Sequence, residues 1–495
     1  MGAGLIVSGV ASVLVGMSLA SCQTTSAGPA RGTAAGGATA DRAATQPRGP
    51  EEVSRSITAL AGINGEPEIR VRIAEGTATA KFSGPEMFWV VPVATLGPSA
   101  VVQNTRSDRL RGPIEVTLAD NTWIVRDGVD RLHRYPVREN GKAGARDLEV
   151  EGIGPDETVA PSIAFNNVPY SGYFRVTLPS GTASLTPPAA GAAASAPPPP
   201  GTFDVVEHVG LETYLPGVVA KELYRDWPLA AFKVQAVCAR SYALHERQRA
   251  MAAGRRFDLE STTRDQAYAG ATALPVANDA VKQTRGVVLA YGPGVLRAYY
   301  SSTCGGRPGS AADTWPTYKG FEFNLAPPLQ GRAREFACQG SPLFQWRVER
   351  PKDELVRRLA IFGERNSLPI RRIRDLARVE VSRANETGRP AEYRLIEPDG
   401  TWYMLKAEEL RLACNTDEPA KAGKSRLPAI TRQTRVNSGD LEADVQGSTV
   451  YIAGRGFGHG VGMCQYCTRA MADRGDPWLV TLHKFYPGAR VVRAY

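Results

Sequence analysis

The chain has 495 residues, 43% of them hydrophobic and 22% charged, with 59 Lys+Arg against 50 Asp+Glu and a formal net charge of +9. This length asks for about two to four domains, and the apolar content excludes a disordered protein. The mild charge excess comes without the dense basic run of a nucleic-acid arm, so no nucleic-acid partner is expected, although an anionic polymer is compatible with it.

Residues 5–20 are apolar and small, about the length of a signal h-region and short for a membrane span. They end in LASC (19–22), the pattern of a lipobox, in which the signal is cut before Cys22 and that cysteine is lipidated. No Lys or Arg precedes Leu5, a departure from the usual n-region. The expectation is a signal peptide at 1–21 and an exported lipoprotein held to a membrane through Cys22, on the periplasmic face. Gln23 permits the outer membrane if the cell is Gram-negative. Six cysteines remain: Cys238, Cys304, Cys338, Cys414, Cys464 and Cys467. An even count in an exported chain favours bridges, with connectivity unreadable from sequence.

Residues 22–60 are rich in Ala, Gly, Thr and Pro and read as a disordered tether. From 61 to 205 the pattern alternates, as in IRVRI, IEVTL, TWIV and YFRVTL, giving a β-rich part. PPAAGAAASAPPPP at 187–200 reads as an extended insertion within it. Residues 206–345 carry helical patterns, one over 212–224 and one over 229–251, with Asp226 and Pro228 placed to start the second. An α/β insertion follows at 346–440, with helix near 350–363 and strands across 376–412. A Gly-rich segment at 441–495 completes the core. The fold class is α+β: a helical core packed with antiparallel strands.

Within GVVAKEL (217–223), Leu215, Val218 and Val219 are spaced i, i+3, i+4, and the next position of that stripe is Glu222. A carboxylate on a buried face is either paired with a cation, with Arg225 and Arg240 as candidates, or kept protonated for catalysis. On the next helix Val234, Val237, Cys238, Ser241 and Leu244 make the packed face. Gln235, Ala239 and Tyr242 make another, which lines either a polar cleft or solvent. Gly454, Gly456, Gly458, Gly460 and Gly462 recur at every second residue. This is no dinucleotide fingerprint; on an extended backbone it sends the glycines to one face, for close approach of a neighbouring strand or a ligand. His459, Cys464 and Cys467 raise a zinc reading, with Cys414 or Cys304 as fourth ligand. Cys-x-x-Cys is only half a zinc signature, however, and the second half is missing, so no metal or cofactor is expected.

Taken in order, YLPGVVAKEL, WPLAAFKVQAVCARSYAL, DQAYAG, TRGVVLAY, YYSSTCGG, GRGFGHGVGMCQY and YPGA make the chain from about 66 onward resemble the stage II sporulation protein D (SpoIID/LytB) family. The resemblance implies lytic cleavage of peptidoglycan glycan strands stripped of stem peptides, with Glu222 as the catalytic acid. A lytic transglycosylase can work with one carboxylate, because the C6 hydroxyl of N-acetylmuramic acid attacks and leaves a 1,6-anhydro end; hydrolysis usually takes two. Substrate contacts are then expected from Gln235, Arg240, Tyr242, Tyr268, His459 and Gln465. Cys304 and Cys338 match a pair found in many members, which implies a disulfide between them. Leu223 and Tyr224 stand where many members have Met and Pro, and Cys467 stands where many have Gly. Ser301 replaces a His common three residues before the Cys of CGG, in a region where some members bind zinc. Two rival readings are an enhancer that partners a cell-wall amidase and a non-catalytic glycan-binding lipoprotein. If Cys22 is the anchor, Cys22→Ser abolishes labelling by a lipid precursor and releases the protein from the membrane fraction; continued labelling would sink the expectation.

Overall fold

Period-two patterning builds the N-terminal half. EIRVRIAEGT forms β1 (Glu68–Thr77), burying Ile69 and Val71. It is followed by β2 (Thr79–Ser83), β3 (Met87–Ala94), β4 (Asp108–Arg111), β5 (Ile114–Ala119), β6 (Thr122–Arg126), β7 (Leu132–Pro136), β8 (Arg146–Ile153), β9 (Ile163–Phe165), β10 (Val168–Tyr170), β11 (Tyr173–Thr177), β12 (Phe203–Gly210) and the short β13 (Leu259–Glu260). The computed structural model describes residues 65–94, 107–138, 146–155, 158, 162–179, 199–333, 335–418 and 427–495. Cys22, the signal, the tether and most of the Pro/Ala stretch lie outside the described residues.

One sheet has the order β13-β1-β12-β11-β8-β3-β4 and the other β10-β9-β2-β5-β6-β7. They face each other across an aromatic layer, as in a sandwich: Phe82 and Phe174 have ring centroids 5.0 Å apart, and Trp123 meets Phe203 edge-on at 5.6 Å. β12 is buried along nearly its whole length. α1 (Leu211–Glu222) packs against β12 and α2 (Leu229–Ala252) against β1, and the buried polar residues of β12 are partnered: Asp204 accepts from Arg72 at 3.2 Å, Glu207 accepts the Gly172 N–H at 3.1 Å, and His208 meets Glu68 at 2.9 Å.

The helical part continues through α3 (Pro275–Gln283), β14 (Val287–Tyr291), β15 (Gly294–Val295), β16 (Tyr300–Ser301) and the one-turn α4 (Ala311–Thr314). Arg240, on α2, is fully buried. Its guanidinium donates to both carboxylate oxygens of Glu212 at 2.9 and 2.8 Å and to the Val287 carbonyl at 3.1 Å. Glu212 also accepts from the Gly286 N–H at 3.0 Å and from the Tyr495 hydroxyl. This pair ties α1, α2 and the start of β14 together.

The chain then leaves for a second core. β17 (Gln345–Pro351), α5 (Lys352–Arg365), β18 (Arg378–Ala384), β19 (Pro390–Ile396), β20 (Trp402–Lys406), α6 (Ala407–Cys414), β21 (Leu441–Gln446) and β22 (Thr449–Arg455) surround Leu359, Leu376, Leu395 and Val436. The strand expectation across 376–412 fails at its end, because AEELRLAC is helical. These are strong helix formers, and the Glu409 carboxylate accepts the Lys406 N–H at 2.8 Å to cap the first turn. The chain returns through β23 (Met463–Cys464), α7 (Gln465–Asp473), α8 (Trp478–Phe485) and β24 (Arg490–Arg493), which pairs with β14.

The glycine run is not a strand with one bare face. Only Gly454 lies in β22; Gly456, Gly458, Gly460 and Gly462 have φ of +76°, +92°, +76° and +72°. Each reverses a loop that lies along residues 299–309, bridging Thr303 to Phe457 and Gly309 to Val461. A Cβ on Gly462 would stand 2.0 Å from the Tyr299 carbonyl oxygen, so both the backbone sign and the space exclude other residues. Because removing one partner of a buried pair strands the other charge, Arg240→Ala should cost about 3–5 kcal/mol in denaturant unfolding; a loss within the scatter of a surface substitution would contradict the role given to the pair.

Candidate active site

Glu222 is the last residue of α1, where the apolar stripe that buries Val218 and Val219 carries it to the edge of the core. Its Oε1 accepts the Ala267 N–H at 3.3 Å, and its Oε2 accepts the side-chain amide of Gln465 at 3.1 Å. The Tyr300 hydroxyl is a further hydrogen-bond partner. Among the described residues it forms no ion pair: Arg240 is committed to Glu212, and Arg225 is exposed. Glu222 keeps some solvent contact at the rim while its carboxylate is crowded by protein. Burial therefore pushes its pKa up, against the lowering effect of the Gln465, Ala267 and Tyr300 donors.

Three elements supply the surroundings. Gln235, fully buried on α2, accepts from the Gln465 amide at 3.2 Å and so fixes which way that amide points. Its own side-chain nitrogen is buried without a hydrogen-bond partner among the described residues. Gln266 donates to the Tyr300 hydroxyl at 3.1 Å and to the Ala239 carbonyl at 3.2 Å, and accepts from Tyr214 at 3.2 Å. Tyr300 and Gln465 meet because β16 pairs in parallel with β23, Tyr300 opposite Met463 and Ser301 opposite Cys464. Beside the carboxylate, Tyr224, Trp227 and Tyr466 form an aromatic ledge, with centroids 5.6 and 5.1 Å apart in sequence. Tyr224 is 60% exposed.

Of the residues expected to contact substrate, Gln235 and Gln465 join Glu222. Arg240 does not; it is the structural cation of Glu212. Tyr242 is buried, donating to Asp265 at 3.1 Å and accepting from Arg297 at 2.9 Å. Tyr268 is buried between Tyr214 and Tyr170, with centroids at 4.7 and 5.8 Å, and is hydrogen-bonded to Glu207. His459 packs against Trp315 at 4.9 Å and accepts the Val461 N–H at 3.0 Å; burial pushes its pKa down to about 4. The polar atoms of these residues are engaged within the protein. Tyr300, Gln266 and the Tyr224–Tyr466 ledge were not anticipated. YYSS and DQAY carried the first two, but only the chain's return at 463–465 makes them neighbours of Glu222. The sulfurs of Cys304 and Cys338 lie 3.7 Å apart, and Cys414 lies in the second core, away from Cys464 and Cys467.

Residues 200–291, from β12 to β14 and including Glu222, match the family model described as "SpoIID: Stage II sporulation protein". An uncharacterised protein of Brachyspira hyodysenteriae is 26% identical over 59% of this chain and 69% of its own length. The amidase enhancer of Bacillus subtilis is 26% identical over 55% of this chain and 39% of its own. Stage II sporulation protein D of Bacillus subtilis is 24% identical over 58% and 76%. These likenesses support assigning residues 200–291, and Glu222 with them, to the stage II sporulation protein D family.

A carboxyl whose pKa is raised by folding adds stability only at pH below its unfolded value, and that contribution is lost as pH rises through the folded value. At neutral pH, Glu222 is therefore a cost to the fold. Glu222→Gln should raise Tm at pH 7, and the difference should vanish below about pH 4, where the unfolded carboxyl is protonated too. A lower Tm at pH 7 would instead mark Glu222 as a structural anion.

Proposed function

We propose that this protein is a peptidoglycan lytic transglycosylase, cleaving N-acetylmuramic acid–N-acetylglucosamine strands that lack stem peptides, with Glu222 as general acid and then base. The observation that carries the reading is a carboxyl crowded by protein, on a half-buried residue, with a raised pKa, uncharged hydrogen-bond donors and no ion pair among the described residues. The protonated Glu222 gives its proton to the bridging oxygen as the oxocarbenium-like centre develops. The anion left behind keeps the Ala267 and Gln465 donors, which stabilise it until it takes the proton from the attacking C6 hydroxyl. Those partners are an amide, a backbone N–H and a phenol, with no carboxylate among them. Asp265 and Glu207, acids that act on Tyr214 as Glu222 does, are engaged with Tyr242 and the Glu260 N–H, and with the Gly172 N–H and Tyr268. The exposed Tyr224 supplies a face for a sugar ring. Attachment through a lipid on Cys22 would keep this site at the cell wall.

Glu222→Gln should retain binding to denuded glycan and lose cleavage by about two to four orders of magnitude. The wild type should leave 1,6-anhydromuramic ends, and its rate should fall as pH rises through the raised Glu222 pKa. Reducing ends would make the enzyme a hydrolase. The name of the Bacillus subtilis amidase enhancer supports a second reading, that of an amidase partner. Absent cleavage by the wild type, with an amidase stimulated equally by wild type and Glu222→Gln, would favour that reading.

A further inference from the structure

Behind the carboxyl lies a cluster that the proposed chemistry does not use. Cys304 ends the YYSSTC segment, Cys338 opens the turn Cys338–Gly340, Cys464 ends β23 and Cys467 sits in the first turn of α7. All four are buried, and their sulfurs lie within 4.8 Å of one another. The Cys304 sulfur is 3.7 Å from that of Cys338 and 3.9 Å from that of Cys467. A disulfide needs about 2.05 Å, whereas four sulfurs held about 2.3 Å from a tetrahedral zinc stand roughly 3.8 Å apart.

We propose that Cys304, Cys338, Cys464 and Cys467 form a structural tetrathiolate site for one zinc ion. The donor set contains only sulfur, which selects a thiophilic cation of tetrahedral preference. Every ligand is buried, as in closed structural sites and unlike catalytic ones that keep a position open. Backbone N–H groups already point at the sulfurs: Cys304 and Cys467 donate to the Cys464 sulfur at 3.3 and 3.5 Å, and Ala337 to the Cys467 sulfur at 3.5 Å. The Cys464-x-x-Cys467 pair spans the N-terminus of α7, whose dipole favours thiolates. The buried Arg389 guanidinium donates to the Cys304 carbonyl at 3.3 Å and adds positive charge beside the cluster. Zinc binding displaces the four thiol protons to solvent and leaves a site of net charge −2. The ion would tie four separate segments together and pin the β16–β23 contact one residue from Gln465.

Metal analysis of the purified full chain should find about one zinc per chain, released by a mercurial thiol reagent and resistant to mild chelation. Cobalt exchange should give the intense visible bands and sulfur charge-transfer absorption of a tetrahedral tetrathiolate, and X-ray absorption of the zinc protein should show sulfur neighbours at about 2.3 Å. Cys338→Ser and Cys467→Ser should lower zinc content, but the wild-type spectra suffice if those variants fail to fold. Metal-free protein, or a Cys304–Cys338 disulfide mapped in native protein, would overturn the site. Glu222→Gln should keep its zinc in full, so loss of the metal reading and loss of the catalytic reading are told apart.

Discussion

The site depends on a two-residue parallel contact, β16 against β23. It brings Tyr300 from one side and Gln465 from the other to a carboxyl that α1 has carried to the rim of the core. The glycine loop makes that contact possible. Its left-handed turns let residues 456–462 lie against 299–309 at distances no Cβ would tolerate. Removing the turns would leave Glu222 in place but separate it from the amide that orients it.

The two buried acids of α1 show how surroundings decide role. Glu212 and Glu222 lie on the same helix. Glu212 faces a fully buried guanidinium, which with other donors holds its pKa down despite burial. Glu222 faces neutral donors, and burial wins. A buried anion beside a cation is held charged, whereas one met only by neutral donors is held towards its protonated form at a cost in stability. The second core stands outside this logic, contributing β22, which feeds the glycine loop, and Arg389, which props the Cys304 carbonyl.

Local patterns were legible where local physics decides them. Alternation marked β1, β5, β6 and β11, and helical spacing marked α1 and α2 and singled out Glu222. Pairing across the chain was not legible. Arg240 and Tyr242 read as cleft residues because nothing local reveals that Glu212 and Arg297 already occupy them. The glycine run fits an extended face by period alone, and only its φ angles show a loop. The family resemblance implies a bridge between Cys304 and Cys338, 34 residues apart, but nothing local shows that the Cys464 and Cys467 sulfurs arrive at the same place from beyond the second core.

The Glu222–Gln465 bond spans 243 positions of the chain. Contacts at such separation form late, since a long loop must close before they repay its entropy. A chain still emerging, with the second core not yet made, holds the acid without the amide that orients it. The second core therefore acts as a timing element: the carboxyl acquires its partner only after everything between has found its place.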